Sequence, residues 1–238
     1  MAIGGQSPSN GNAASRPTVE PFNRLTARYD AWFDSPQGGA IFAAEVACLD
    51  MLMPSRRDRW LEVGVGTGRF VAALGVTEGV DPSEPMLAIA AARGILTRKG
   101  TGEHLPYHEK QFDGVLMVVT LCFLTDPLAA LRECARVLSD DGHLLVGFVP
   151  ADSAWGQLYR QKGRHGHPFY ATARFYTADQ VIRTAAAAEF RLERAASCLF
   201  SPPEASVDGS HHQGISADAG FIALSFVKTT PRDEDHGL

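Results

Sequence analysis

Three glycines alternate at Gly64, Gly66 and Gly68 in the stretch LEVGVGTGRF, directly after a short apolar run that ends in the acid Glu62. A glycine turn between a strand and a helix gathers backbone N–H groups and the positive end of a helix dipole at one point, a setting for a nucleotide-like ligand. The dinucleotide pattern GxGxxG misses by one position, because its third glycine falls on Arg69. Glycine turns after strands are common, so the ligand has to be read from other residues. Asp81 ends a second apolar run in GVDPSEPML, where a carboxylate either accepts hydrogen bonds from both hydroxyls of a ribose or caps the helix that starts near Ser83. A third segment, GTGEHLPY at residues 100–107, and a fourth, VVTLCF with Thr120, follow later runs and face the same crevice.

The elements that must carry these residues follow from periodicity. Val19 to Met53 reads as two helices, with Phe22, Leu25, Tyr29 and Phe33 on one stripe and Phe42, Val46, Leu49 and Met53 on the other, broken apart at Ser35-Pro36-Gln37-Gly38-Gly39. Strands are expected at 60–63, 76–80, 94–99, 114–120 and 143–149, with helices at 67–74, 83–93 and 127–138 between them. Gly75 is placed as a C-cap, and Asp126 with Pro127 as N-cap and first helical residue. Asp140-Asp141-Gly142 reads as a turn, and Thr177-x-x-Gln180 as a capping box opening a helix to about Ala188. Two strands, near 192–200 and 220–228, close the chain across a long polar link. Alternating strand and helix specifies an α/β class, a Rossmann-like doubly wound and mostly parallel sheet.

Composition narrows the partners. The 238 residues are 45% hydrophobic, enough for one sizeable domain. A formal net charge of -5 offers no broad basic field, so no nucleic-acid partner is expected. Cys48, Cys122, Cys134 and Cys198 lack CxxC spacing and read as reduced core residues. The first residues hold no secretion-signal core and no run approaches a membrane helix, so a soluble, cytoplasmic protein without a membrane partner is expected. Residues 1–18 and 231–238 read as disordered tails around one domain at 19–230, divided into N-terminal helices (19–57), a cofactor-binding core (58–149), a lid or insertion with a helix (150–190) and closing strands (191–230).

Taken together, LEVGVGTGRF, GVDPSEPMLAIA, GTGEHLPY, FDGVLMVVTLCF and RVLSDDGHLLVGF resemble, in order and spacing, the class I S-adenosylmethionine-dependent methyltransferases of the small-molecule type over about residues 59–149. The resemblance implies a seven-stranded sheet whose last strand is antiparallel, with S-adenosylmethionine as cofactor. It implies that Glu62, Gly64 and Gly66 meet the methionine half, that Asp81 holds the ribose, and that Pro82 and Met86 pack near the adenine. Gly102, through its backbone, and Glu103 are expected at the adenine edge; many relatives carry Asp where this chain has Thr101. Thr120 lies at the crevice, and a YD-x-W segment similar to that of relatives puts Tyr29 over the cofactor. The closing turn is DDG where relatives have PGG.

The acceptor side is less defined. Methyl transfer is an in-line displacement that positioning alone can support, and no catalytic side chain is assigned. Trp32, His165, Tyr170 and Arg174 are substrate candidates, the last three from a segment, Trp155 to Tyr176, that also holds Arg164, His167 and Tyr176 and is expected to form a lid; the alternatives are core aromatics and a solvated loop. His165-x-His167 and His211-His212 have no carboxylate or thiolate at a supporting spacing, so no metal is expected. No Asp-Pro-Pro-Tyr-like segment follows the fourth strand, which favours a small-molecule acceptor. Two other readings stay open: a silent S-adenosylmethionine-binding module, and a nicotinamide-dependent oxidoreductase, which lacks both its third glycine and a Tyr-x-x-x-Lys pair.

Overall fold

A computed structural model describes residues 16–229; the tails expected at 1–15 and 231–238 lie outside them, while residues 16–18 begin the first helix. The chain opens with α1 (Arg16–Arg24), α2 (Thr26–Trp32) and α3 (Pro36–Asp50). It continues with β1 (Trp60–Val63), α4 (Arg69–Leu74), β2 (Glu78–Asp81), α5 (Glu84–Ala92) and β3 (Leu96–Lys99). β4 (Phe112–Val118), a single 3-10 turn (Leu121–Phe123), α6 (Pro127–Val137) and β5 (Leu138–Phe148) complete the alternating part. The last third holds α7 (Ala154–Arg164), α8 (Ala178–Ala187), β6 (Phe190–Cys198), β7 (His211–Gln213) and β8 (Phe221–Lys228).

The strands form one sheet in the order β3-β2-β1-β4-β5-β8-β6-β7. β3, β2, β1, β4 and β5 run parallel, and β8 lies antiparallel between β5 and β6. The order reverses beside β1, so the carboxyl ends of β1 and β4 open a crevice. Central strands are buried on both faces, which is why FDGVLMV reads as a continuous apolar run. One core layer packs α3, α4, α5 and α7 on one face, with Leu49, Phe70, Ala90 and Trp155. The other packs α6 and α8 on the opposite face, with Leu131, Cys134 and Val181.

Several local expectations hold as chemistry. The Asp126 carboxylate accepts from Ala129 N at 3.0 Å, Gly75 closes α4 at φ 70°, and Thr177 and Gln180 form the reciprocal capping box.

Four expectations change. The break between the N-terminal helices is narrower than the SPQGG signal implies: Ser35 is the N-cap, accepting from Gly38 N at 3.0 Å, and Pro36 to Gly39 is the first turn of α3. The buried stripe of α3 is Ile41, Ala44, Glu45, Cys48 and Leu49, one position off the spacing from Phe42, with Phe42 and Val46 only half-buried. The Asp140-Asp141-Gly142 turn is absorbed into β5, which shifts register against β4 between Phe112 and Gly114. The seven expected strands gain an eighth, β7, because the polar link folds His211–Gln213 against β6.

Candidate functional site: two joined cavities

The glycine turn leaves β1 and enters α4 with Gly64, Gly66 and Gly68 all at positive φ, 76°, 52° and 81°. A β-carbon at Gly64 would come within 2.4 Å of the Thr120 side chain, so that position is closed to any other residue. At Gly66 the nearest atom to such a carbon is in the Tyr29 ring, 3.8 Å away, leaving the backbone open to a ligand. Gly66 N donates to Asp81 Oδ2 at 3.0 Å and Ser83 N donates to Oδ1 at 2.8 Å. The N-cap of α5 is Ser83, not Asp81, and each Asp81 oxygen keeps a further lone pair for a ligand hydroxyl. Burial raises the Asp81 carboxyl, and those two N–H bonds oppose the rise.

These residues line a cavity of about 200 Å³ together with Tyr29, Pro82, Met86, Gly102, Glu103 and Thr120. Val19, Phe22, Phe123, Leu124 and Thr125 also line it, and none of these five is a site residue expected from the sequence. The Glu103 carboxylate accepts from Thr125 N at 2.9 Å, so its side chain braces the loop after β4. Glu62 is buried behind the turn and Oε2 has no partner, with its carboxyl raised well above the usual range by burial. Glu62 stands behind the cavity wall and not in it, and its carboxyl also meets the Val71 backbone N–H, which lowers what burial raises.

A second cavity of about 720 Å³ lies against the first and shares Phe22, Tyr29, Val119 and Phe123 with it. Its walls are aromatic and come from distant parts of the chain. Phe22 packs on Phe169 with ring centroids 5.2 Å apart and on Phe123 at 5.0 Å, and Tyr29 meets Phe169 at 5.7 Å. Tyr170 stacks between His167 at 4.5 Å and Tyr159 at 4.7 Å. Val119 holds φ at 50°, a strained conformation for a β-branched residue, at the junction of both cavities.

Trp32, 39% exposed, stands at the rim of the large cavity and Tyr170 lines it. His165 does not reach either cavity: it is exposed at the C-cap of α7, with Nδ1 2.8 Å from Gln161 O. Arg174 is exposed, and its backbone N donates to Cys122 O at 2.8 Å; it borders a small separate hollow. His167 takes the place expected of His165, with Nδ1 buried and unpartnered and the imidazole kept below its usual pKa by burial and then by Lys162 and Arg28. Glu45 also faces this cavity, and its position three to four residues from Ile41, Cys48 and Leu49 was the signal available in the sequence: an acid inside an apolar helical stripe. Among the described residues, no group of three or more His, Cys, Asp or Glu side chains gathers as a metal site, and no helix is long and apolar enough to cross a membrane.

The helix that carries Tyr29 is latched to the glycine turn. Asp30 accepts from Arg69 Nε at 2.9 Å and from Arg93 Nη2 at 2.8 Å, while Arg93 Nη1 donates to Thr67 O at 2.5 Å. Burial alone would raise the Asp30 carboxyl, but the bonds from Arg69 and Arg93 outweigh it and hold the group well below the carboxylate range.

A methyltransferase-domain family model matches residues 61–146 of this chain. The crystal structure of a Thermotoga maritima S-adenosylmethionine-dependent methyltransferase, described as a possible histamine N-methyltransferase, superposes with a TM-score of 0.83 at 34% identity, over 89% of this chain and 100% of that one. The chain belongs to the S-adenosylmethionine-dependent methyltransferases. Its cofactor is S-adenosylmethionine, and the nicotinamide reading falls with that membership. The methyltransferase is also 44% identical to an uncharacterized protein of Mycobacterium tuberculosis over 226 residues, 93% of this chain and 79% of the relative. An uncharacterized protein of Methanocaldococcus jannaschii is 33% identical over 87% of this methyltransferase and 98% of the relative.

Proposed function

We propose that this methyltransferase moves the methyl group of S-adenosylmethionine to a small-molecule acceptor held in the larger cavity. The observation that carries the reading is the joining of two cavities at Phe22, Tyr29, Val119 and Phe123. The smaller one has the open glycine turn and the ribose-ready Asp81, with Glu62 buried behind the turn and its Oε2 without a partner. In this reading Gly64 and Gly66 carry the methionine half. Asp81 holds the ribose, Pro82 and Met86 pack on the adenine, and Gly102 and Glu103 border its edge. Thr120 supports the turn from below, with Oγ1 donating to Val118 O at 3.0 Å. Tyr29 stands where the two ligands meet, and burial holds its phenol far above the usual range, so it keeps its proton.

The bound cofactor supplies an electrophilic methyl on a sulfonium; the chain supplies alignment and the exclusion of water. The aromatic roof from α1, α2 and residues 165–176 does the excluding. His167, neutral and unpartnered, is available to accept a proton. A small acceptor agrees with the enclosed second cavity, with the formal net charge of -5, and with the name of the Thermotoga neighbour. Calorimetry with S-adenosylhomocysteine tests the first half, with saturable micromolar binding expected and none for NAD. Release of radiolabelled methyl to a small molecule in a cell extract tests the second. Cofactor binding without any methyl release would leave a binding module.

A further inference from the structure

We propose that the acceptor is an amine whose ammonium form enters the larger cavity and gives its proton to the Glu45 carboxylate, so that the neutral nitrogen displaces the methyl from the sulfonium, leaving S-adenosylhomocysteine and an N-methylammonium product. This deepens the function proposed above and rests on it. Glu45 and Glu62 are the buried acids among the described residues; Glu62 sits behind the glycine turn, and of the two only Glu45 lines a cavity. Glu45 is 6% exposed, sits within the apolar stripe of α3 and lines the large cavity. Asp30 has two arginines and Asp81 has two N–H donors, but among the described residues nothing donates to Glu45 or pairs with it; burial is the one influence on its carboxyl, pushing it up to about 8.

A carboxylate held there without a partner is a poor choice for stability, because a buried charge requires pairing. It is a good choice for a ligand that brings the partner. The groups that face Glu45 from other elements carry no positive charge: Tyr29 on α2, Tyr159 on α7 and Tyr170 after it are phenols kept protonated by burial, and Cys198 on β6 is a buried thiol. His167 is held toward its neutral form; the two cations that line the same cavity, Arg28 and Lys162, stand at its exposed side and make no bond to Glu45, with Lys162 lying 5.5 Å from the Tyr159 ring centroid. Aromatic faces around one acid make a receptor for a cation on an apolar body. A carboxylate ligand would bring Glu45 no proton to accept and no counter-charge, and a neutral alcohol would leave it uncharged and unpaired.

The test is calorimetry with three matched probes, 2-phenylethylamine, 2-phenylethanol and 3-phenylpropionate, against the protein saturated with S-adenosylhomocysteine and against the protein alone. The amine is expected to bind at least about tenfold more tightly than either analogue, a difference of about 1.4 kcal/mol. Glu45→Gln should lose at least that factor for the amine, keep its affinity for S-adenosylhomocysteine, and melt no lower than the wild type. Glu45→Met, of similar length and without a polar group to bury, repeats the measurement if the first variant folds poorly. An amine no tighter than the alcohol, or unaffected by both substitutions, overturns the proposal, as does a drop in melting temperature with no loss of amine binding. Failure to bind S-adenosylhomocysteine would count against the methyltransferase function, while the amine preference of the protein alone would still decide the role of Glu45.

Discussion

The smaller cavity is walled mainly by residues 63–125, strand ends and turns that succeed one another along the chain, with Gly64, Gly66, Gly100 and Gly102 among them. The larger cavity draws its walls from residues 22–45, Phe70 and residues 119–123, 149–175 and 203–204, and 11 of its 24 lining residues are Phe, Tyr or Trp. The first arrangement fixes a ligand by geometry that a sheet imposes, and small residues are required there because the chain itself must approach the ligand. The second fixes a ligand by shape and charge, so its residues can change without changing the fold. A methyltransferase with one donor and many conceivable acceptors needs this division, since the donor side is set by the switch point of the sheet and the acceptor side by what packs over it.

The comparison is broken most sharply at the glycine turn. Gly64→Ala places a β-carbon 2.4 Å from Thr120 at a φ of 76°, so S-adenosylhomocysteine affinity should fall by more than about a hundredfold, with a lower melting temperature, given a cost of roughly 1–2 kcal/mol for the backbone conformation alone. Retained affinity in calorimetry would mean that the turn is not shaped for a ligand. Asp81→Ala comes next. Removing an acceptor of charge-assisted bonds worth roughly 1.5–3 kcal/mol should weaken S-adenosylhomocysteine at least about tenfold, and the melting temperature should also fall because Gly66 N and Ser83 N lose their acceptor, while Ser83 still caps α5. Stability lost with affinity intact would make Asp81 a brace for the turn and nothing more.

A smaller effect sharpens the contrast from the other side. Residues 165–176 carry the stacked His167 and Tyr170 with Phe169 beside them, and their backbone bonds belong to turns outside any helix or strand, so their amides should exchange faster than those of β4 and slow with S-adenosylhomocysteine through Tyr29 and Phe22. Hydrogen exchange that is equal with and without ligand would detach this segment from the site.

The smallest effect concerns acid. The Asp30 carboxyl is depressed in the folded chain, so its contribution is fully present above the unfolded pKa of about 3.9 and is lost as pH falls through the lower folded value. The stability gap between wild type and Asp30→Asn should therefore stay constant from neutral pH to about pH 5 and shrink only below about pH 4. Thermal melts across that range measure it, and a gap that closes near neutral pH would deny the latch its charge.

What the sequence disclosed follows the same division. The strand and helix order from Trp60 to Phe148, the caps at Gly75, Asp126 and Thr177, and the crevice residues around Gly66 and Asp81 rest on local chemistry, and local chemistry is written in adjacent letters. The Asp30 latch joins residues 39 and 63 positions apart, so no spacing rule exposes it. Nothing in the sequence separates His165 from His167; the C-cap of α7 turns the first outward and the stack on Tyr170 draws the second in. Pro36 to Gly39 carried a loop signal that the Ser35 cap overrode. Glu45 was visible as a pattern fault, an acid where the α3 stripe demands an apolar residue, and such faults are where function departs from packing.

The eighth strand has a consequence outside catalysis. An open sheet ends in two rows of unsatisfied backbone groups that invite another chain to add a strand. Here one border is β3, four residues long with Arg98 and Lys99 at its end, and the other is β7, three exposed residues with two histidines. Without β7 the border would be β6, nine residues long and apolar at its end through Ala195, Ala196 and Cys198. The short polar strand covers that end of β6 and leaves too little ladder for a neighbour to extend, which guards a chain rich in buried strands against self-association.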